Sequence, residues 1–118
     1  MSAIVAISTP QAVGGVSMLR ISGDGAFGIA AKVFKPAGGK SIHEMKGYTA
    51  CYGDIFDGGE LLDDGVLLVF RAPHSYTGED VCEISCHGGI YITRKVLQAC
   101  INAGAVPAEA GEFTKRAL

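Results

Sequence analysis

Two charged side chains stand inside otherwise apolar segments of this sequence, and they are the sharpest candidates for chemistry. Arg20 lies in V-S-M-L-R-I-S, and Glu83 lies in V-C-E-I-S-C. A charge withdrawn from water needs a partner, so these groups pair with each other, lie on a solvated strand face, or line a ligand pocket. In a pocket, Glu83 can accept paired N–H bonds from an aminopyrimidine-type ring edge, and Arg20 can clamp a carboxylate. Periodicity alone favours pairing or a solvated face.

The histidines offer a second set of candidates. His87 stands at a predicted strand end before two glycines, where it either hydrogen-bonds a ligand or satisfies nearby backbone groups. His43 and His74 fall in predicted loops and are expected to be solvated or structural. The chain has no G-x-S-x-G nucleophile elbow and no other nucleophile–base pair. No catalytic residue is therefore predicted.

The four cysteines, at positions 51, 82, 86 and 100, form no C-x-x-C pair. Cys82, Cys86 and His87 are close in sequence, but their spacing matches no metal-binding pattern and no fourth ligand is evident. We predict free, buried thiols in a reducing cytoplasm and no metal site.

Two glycine-rich segments resemble nucleotide-binding motifs. The segment 23–28 matches G-x-G-x-x-G, but the next predicted strand starts only at Tyr48 and enters a hairpin, unlike a dinucleotide-binding unit. A turn and helix start is the favoured interpretation, with a dinucleotide-binding fragment as an alternative. Gly39-Lys40-Ser41 resembles the end of a P-loop, but Phe34 occupies the position of its first glycine. No GTP or ATP site is predicted.

Composition excludes several classes of protein. The 118 residues correspond to one domain; 48% are hydrophobic and only 19% are charged, which argues against disorder and favours apolar surface covered by a partner or ligand. The net charge of −2 argues against direct binding of RNA or DNA by this chain. The apolar run 3–7 is too short for a signal peptide or membrane span.

Hydrophobic patterns predict an α+β fold with a mixed or antiparallel sheet and helices on one face. Predicted strands cover 3–8, 16–22, 48–56, 61–70 and 81–87, and predicted helices cover 24–34 and 90–103. Asp24 is the expected cap of the first helix, and 63–65 is an expected break in a strand. The tail 108–118 is predicted to be a loop followed by the start of a helix. Alternation places Val16, Met18, Arg20 and Ser22 on one face of their strand and Ser17, Leu19 and Ile21 on the other.

Four segments, in order along the chain, resemble one known family. They are I-V-A-I-S-T-P at 4–10, G-G-V-S-M-L-R-I-S-G at 14–23, P-H-S-Y-T-G-E-D-V-C-E at 73–83 with C-H-G-G at 86–89, and G-E-F-T-K-R-A at 111–117. They are similar to the N-terminal domain of the MnmE (TrmE) family of tRNA modification GTPases. The block S-Y-T-G-E-D-V-x-E with H-G-G is the most specific part of this resemblance.

The resemblance implies a single domain over 1–118 with the folate-binding fold of an aminomethyltransferase. Such a domain binds a tetrahydrofolate, as the 5-formyl or 5,10-methylene form, and forms a homodimer. In the family, separate helical and GTPase domains follow, and GTP, magnesium and potassium belong to the GTPase domain. With its flavin-dependent partner MnmG, the whole GTP-hydrolysing enzyme modifies carbon 5 of the wobble uridine in certain tRNAs, and the folate supplies the one-carbon unit.

The family's folate contacts map onto Arg20 and Glu83, and the resemblance leaves Ser75, Tyr76 and His87 as pocket lining. Glu79 does not match the contacting glutamate. The family's third contact, a lysine, would lie beyond Leu118, so this chain is expected to be a fragment. Q-A-V at 11–13 replaces the family's usual P-G-R. A pure dimerisation module remains the alternative to folate binding.

Overall fold

A mixed β-sheet carries the functional candidates of this domain. The computed structural model describes residues 1–9 and 15–118, and within these it contains seven strands and three α-helices. The strands are β1 (Ile4–Ile7), β2 (Ser17–Ser22), β3 (Phe34–Pro36), β4 (Thr49–Asp57), β5 (Glu60–Phe70), β6 (Val81–Cys86) and β7 (Val106–Pro107). The helices are α1 (Ala26–Val33), α2 (Gly89–Asn102) and α3 (Glu112–Ala117). The predicted α+β class is confirmed.

The strand order is β3-β4-β5-β6-β2-β1-β7. Only β1 and β7 pair in parallel among the described strands; the other neighbours are antiparallel. The chain leaves β2 through the 23–28 glycine segment and α1 and then enters β3, which lies at the far edge and pairs antiparallel with β4. Because a dinucleotide-binding unit needs parallel neighbouring strands here, the topology favours the turn interpretation of that segment.

Alternation along β2 and β6 separates the core from the candidate site. Leu19 and Ile21 of β2 and Ile84 of β6 are fully buried in one hydrophobic cluster with residues of α1 and α2. Each such side chain contributes roughly 1.5–3 kcal/mol by leaving water. Arg20 and Glu83 are the immediate neighbours of these residues along β2 and β6, and they therefore face the opposite side of the sheet. The two long helices cover one face, as predicted.

The predicted break at 63–65 is wrong, because β5 is continuous through these residues. The irregularity lies one residue earlier: Ile55 pairs with Asp63 and Phe56 pairs with Leu61, which leaves Leu62 as an extra residue. Such a bulge bends a strand without ending it. Pairing on both sides, with β4 and β6, outweighs the low strand propensity of aspartate and glycine.

Asp24 does not cap α1, contrary to prediction. The N-cap is Gly25, with φ 81° and no side-chain cap, a backbone conformation that glycine adopts without strain. The Asp24 carboxylate instead accepts a hydrogen bond of 2.9 Å from the Met1 ammonium. This hydrogen bond, and the attraction of the same charge, lower the pKa of Asp24.

All four cysteines are free thiols, as predicted, and three of them are buried. Burial raises the pKa of the Cys82 and Cys100 thiols to about 12. None of the helices in the described part of the chain is long and apolar enough to cross a bilayer.

Because these thiols are buried, we predict that the folded chain loses stability at alkaline pH. Between pH 9 and 12 the unfolded thiols ionise while the folded ones keep their protons, so the free energy of unfolding falls as pH rises. The slope is up to about 1.4 kcal/mol per pH unit for each thiol. Urea unfolding at pH 9 and 10.5 measures it, and Cys100→Ala should flatten the slope. An unchanged slope in Cys100→Ala would contradict this account.

Candidate functional site

Arg20 and Glu83 lie directly opposite each other on β2 and β6. Arg20 Nε donates a hydrogen bond of 2.8 Å to Glu83 Oε2, and the two side chains are 24% and 14% exposed. The predicted pairing is therefore present. It lies on the face of the sheet that α1 and α2 leave uncovered, so the pair is half-buried but reachable from solvent.

Two aromatic rings flank the Arg20 guanidinium. Its central carbon lies 5.2 Å from the ring centroid of Tyr76 and 5.3 Å from that of Phe113, within the range of cation–π attraction. The Tyr76 and Thr114 hydroxyls lie 2.9 Å apart in a hydrogen bond, which joins the 72–80 loop to α3. Arg20 is thus held by a carboxylate and two aromatic side chains.

A groove of about 470 Å³ opens beside Arg20, within the usual range for small-molecule sites. Arg20, Tyr76 and Phe113 form one side of its lining. The remaining lining residues come from the end of β1, the segment before α3, and α3 itself: Ala6, Ile7, Ser8, Ala108, Glu109, Ala110, Gly111 and Thr114. Arg20 is the only positively charged residue in this lining among the described residues.

The other predicted lining residues have different surroundings. The Ser75 hydroxyl donates to the Glu79 carbonyl oxygen at 2.5 Å and so shapes the loop that presents Tyr76. His87 lies just beyond the end of β6, where its ring nitrogens are 3.1 Å from Asp63 Oδ1 and 3.2 Å from Asp64 Oδ1. The structure brings Tyr76 to Arg20 but gives His87 separate partners on β5.

A buried network around Arg116 was missed by the sequence analysis. The Arg116 side chain is only 5% exposed; its Nη1 lies 3.2 Å from Glu79 Oε1 and donates to the Ser2 carbonyl oxygen at 2.9 Å. Its Nη2 lies 3.3 Å from Glu112 Oε2. Glu79 and Arg116 both lie in the motif segments quoted above. Their place in those segments was the sequence signal that could have identified them.

This network fixes the two segments that carry the aromatic rings. The Ser22 hydroxyl donates to Glu79 Oε1 at 2.9 Å and lies 2.7 Å from the Thr77 hydroxyl. Glu79 thereby ties the 72–80 loop to β2, while Arg116 ties α3 to the same carboxylate. These two contacts of Glu79 position Tyr76 and Phe113 against Arg20.

Comparison with known proteins bears directly on these segments. A family model described as the GTP-binding protein TrmE N-terminus matches residues 3–118. The chain belongs to this family. The resemblance stated from the motifs is therefore confirmed.

Proteins similar in sequence to this chain are named as tRNA modification GTPases. The tRNA modification GTPase MnmE of Parabacteroides distasonis is 47% identical over 120 residues, which cover 100% of this chain and 26% of that protein. The MnmE of Moorella thermoacetica is 50% identical over 117 residues, covering 98% and 25%. The MnmE of Lachnoclostridium phytofermentans is 50% identical over 116 residues, with the same coverage. The chain spans about a quarter of the length of these curated relatives.

In this TrmE N-terminal domain, three of the quoted motif segments meet at one place. The 14–23 segment supplies Arg20, the 73–83 segment supplies Tyr76 and Glu83, and the 111–117 segment supplies Phe113. The unusual Q-A-V at 11–13 lies outside the described residues.

Two other features of the TrmE N-terminal domain lie away from Arg20. Ligand atoms of Asp63, Asp64 and His87 lie within 4.8 Å of one another, close enough to hold a metal ion, although the sequence predicts none. The two ring nitrogens of His87 each face one of these carboxylates. The Tyr52 hydroxyl also bonds Asp64, and this hydrogen bond raises the pKa of Tyr52 and lowers that of Asp64.

A second concavity of about 410 Å³ lies between α1, β3 and the turn of the β4–β5 hairpin. Phe34, Phe56 and Ile42 give it an apolar lining, and Lys32, Lys35 and Lys40 are among its other lining residues. None of its lining residues in the described part of the chain carries a carboxylate, so it lacks the charged acceptor that Glu83 offers to an aminopyrimidine edge.

Proposed function

We propose that this chain is a folate-binding and dimerising domain of a tRNA-modifying GTPase. The ligand is a tetrahydrofolate in the 5-formyl or 5,10-methylene form. The observation that carries the proposal is the half-buried Arg20–Glu83 pair, beside an aromatic-lined groove on the sheet face that the long helices leave uncovered. Family membership supports it, because the family's folate contacts map onto these two residues.

The pair has bonding capacity left for a ligand. A carboxylate offers about four acceptor positions and a guanidinium five N–H donors, whereas within residues 1–9 and 15–118 the pair uses one of each. Glu83 accepts paired N–H bonds from the pterin edge, and Arg20 adds a charged contact. Both groups are already oriented by their mutual hydrogen bond, so binding requires little reorganisation.

The wider role is carried by the whole protein. The relatives are named as tRNA modification GTPases, and we propose that this domain supplies the one-carbon unit for modification at carbon 5 of the wobble uridine. GTP, magnesium and potassium would act on the GTPase domain, with MnmG as the flavin-dependent partner in the cytoplasm. The net charge of −2 leaves tRNA binding to other parts of that complex.

Two exposed side chains on the sheet support the proposed dimerisation. Tyr52 and Val66 are cross-strand partners on the sheet face bearing Glu83, and both are exposed. Apolar neighbours of this kind favour a covered surface and also suit the alternative of a pure dimerisation module. Sedimentation with and without folate separates the two, because the pure module predicts a dimer indifferent to ligand.

Replacing Glu83 with glutamine should weaken 5-formyltetrahydrofolate binding by more than tenfold. A hydrogen bond to a charged group is worth about 1.5–3 kcal/mol, and each 1.4 kcal/mol is tenfold in affinity. Calorimetric titration of the folate into both proteins measures the change.

Glu44→Gln is the matched control, since Glu44 is exposed in a 3₁₀ turn away from the site and its loss should leave affinity unchanged. Equal affinity in Glu83→Gln and the parent chain would refute the folate site.

A further inference from the structure

We propose that the second concavity is a docking surface for an acidic segment of a partner protein, one that carries an apolar side chain between carboxylates. The inference concerns the edge of the sheet at β3 and does not rest on folate binding. The floor of the concavity is apolar and its rim carries lysines. These two features are the complement of an acidic peptide with an apolar anchor.

Positive charge is concentrated around the second concavity. Four of the ten basic residues of the chain, Lys32, Lys35, Lys40 and Lys46, lie close together in the sequence, and Glu44 is the only acidic residue between the first and the last of them. All four lysines are exposed. Because the whole chain has a net charge of −2, this patch is a local feature and not the result of a basic composition.

In the part of the chain that the structure describes, none of these four lysines forms an ion pair. Arg20 and Lys95, by contrast, each pair with a glutamate. Lys32 donates a hydrogen bond of 3.4 Å to the Ala103 carbonyl oxygen. The charges around the second concavity are therefore available to carboxylates of another molecule.

An apolar floor distinguishes the second concavity from a simple cationic patch. Phe34 and Ile42 are each 2% exposed, and they line the concavity together with the half-buried Phe56. Its volume of about 410 Å³ lies in the range of pockets that bury a ligand. Stacking of nucleic-acid bases requires exposed aromatic faces, and both rings here are buried or half-buried. The surface therefore favours a peptide over a nucleic acid.

An adjoining concavity of about 310 Å³ extends this surface along the edge of the sheet. It shares Pro36 and Lys40 with the second concavity and adds Met45 and Lys46. Among the described residues, neither lining includes a carboxylate. Two adjoining depressions that both carry lysines suit an extended segment of several residues better than a compact anion.

The outer edge of β3 offers few backbone groups for pairing with another strand. The Phe34 N–H already donates to the Ala30 carbonyl oxygen, and Pro36 has no N–H. The Pro36 carbonyl oxygen accepts a hydrogen bond of 3.1 Å from the Gly39 N–H. A docked segment is therefore held by its carboxylates and its apolar side chain, and not as an added strand.

The first test varies the chain and uses the fluorescein-labelled peptide D-E-F-L-D-E as its probe. Anisotropy should show saturable binding that weakens by about threefold to twentyfold in Lys35→Gln/Lys40→Gln, because each exposed ion pair contributes up to about fivefold in affinity. Arg94→Gln/Lys115→Gln is the matched control. It removes two exposed charges elsewhere and should bind the peptide as the parent chain does.

The second test varies the peptide, which leaves the folding of the chain untouched. The peptide D-E-S-S-D-E keeps the charge but lacks the apolar anchor, and it should bind more than about tenfold more weakly because no large apolar side chain is buried. In NMR spectra of the isotope-labelled chain, D-E-F-L-D-E should shift the backbone amides of Phe34, Ile42 and Gly58 and leave that of Arg20 unchanged.

Loss of affinity in both tests, with shifts at the second concavity, supports the proposal. Equal affinity for the two peptides, or for the parent chain and Lys35→Gln/Lys40→Gln, overturns it, and so does the absence of saturable binding. An oligouridylate that binds more tightly than D-E-F-L-D-E, and loses affinity in the same lysine variant, would also overturn it, because the surface would then recognise a nucleic acid.

Discussion

Replacing Arg116 with methionine should lower the free energy of unfolding by about 3–5 kcal/mol. The substitution keeps much of the aliphatic volume but removes a guanidinium whose side chain is 5% exposed. Glu79, 20% exposed, then keeps its charge without its main cationic partner. Breaking a buried ion pair from one side costs this much because the remaining charge is uncompensated. Urea denaturation of both proteins measures the difference.

Two further variants make this prediction specific. Lys115→Met changes an exposed cation on the same helix and should change stability by less than about 0.5 kcal/mol. Adding Glu79→Gln to Arg116→Met should recover part of the loss, because the second substitution removes the unpaired charge. A double variant as unstable as the sum of the two single variants would show that Arg116 and Glu79 do not act as a pair.

The second large effect is expected at Gly65, in the middle of β5. A Cβ built on Gly65 would lie 1.8 Å from the carbonyl oxygen of Ser85 on β6. That oxygen belongs to the backbone of a paired strand, so relief requires β5 and β6 to separate. Gly65→Ala should lower the free energy of unfolding by about 3 kcal/mol or more, above the usual cost of overpacking a core. Thermal and urea unfolding measure this loss.

Gly28→Ala is the matched control for Gly65→Ala. Gly28 lies inside α1, where an added Cβ meets nothing within 4 Å. Alanine is favoured over glycine in a helix by about 1 kcal/mol, so this variant should be more stable than the parent chain. If Gly65→Ala proves as stable as the parent chain, the close approach of β5 to β6 is wrong.

Much of the fold could be predicted from local pattern. Alternation in β2 separated the face of Arg20 from that of Leu19, and the structure shows that Leu19 lies in the core. The N-terminus of α1 was predicted less well. Asp24 has the residue type and position of a helix cap, but its carboxylate bonds the Met1 ammonium instead. The strand at 61–70 was predicted with a break because the sequence does not show that its aspartates have partners elsewhere, Tyr52 on β4 and His87 beyond β6.

The candidate site was predictable only in part. Arg20 and Glu83 stood out because a charge in an apolar strand demands a partner. Phe113 and Arg116 did not, because the sequence cannot show that α3 folds back onto β2 from more than ninety residues away along the chain. The partners of His87 were equally hidden, since Asp63 and Asp64 come from a strand whose register depends on a bulge.

The measurement that tests the central claim most directly is an NMR titration of 5-formyltetrahydrofolate into the isotope-labelled chain. We expect saturable shifts of the Arg20 side-chain N–H and of the backbone amides of Glu83, Tyr76 and Phe113. Shifts confined to the second concavity, around Phe34, would contradict the site. A spectrum unchanged at saturating folate would contradict the function.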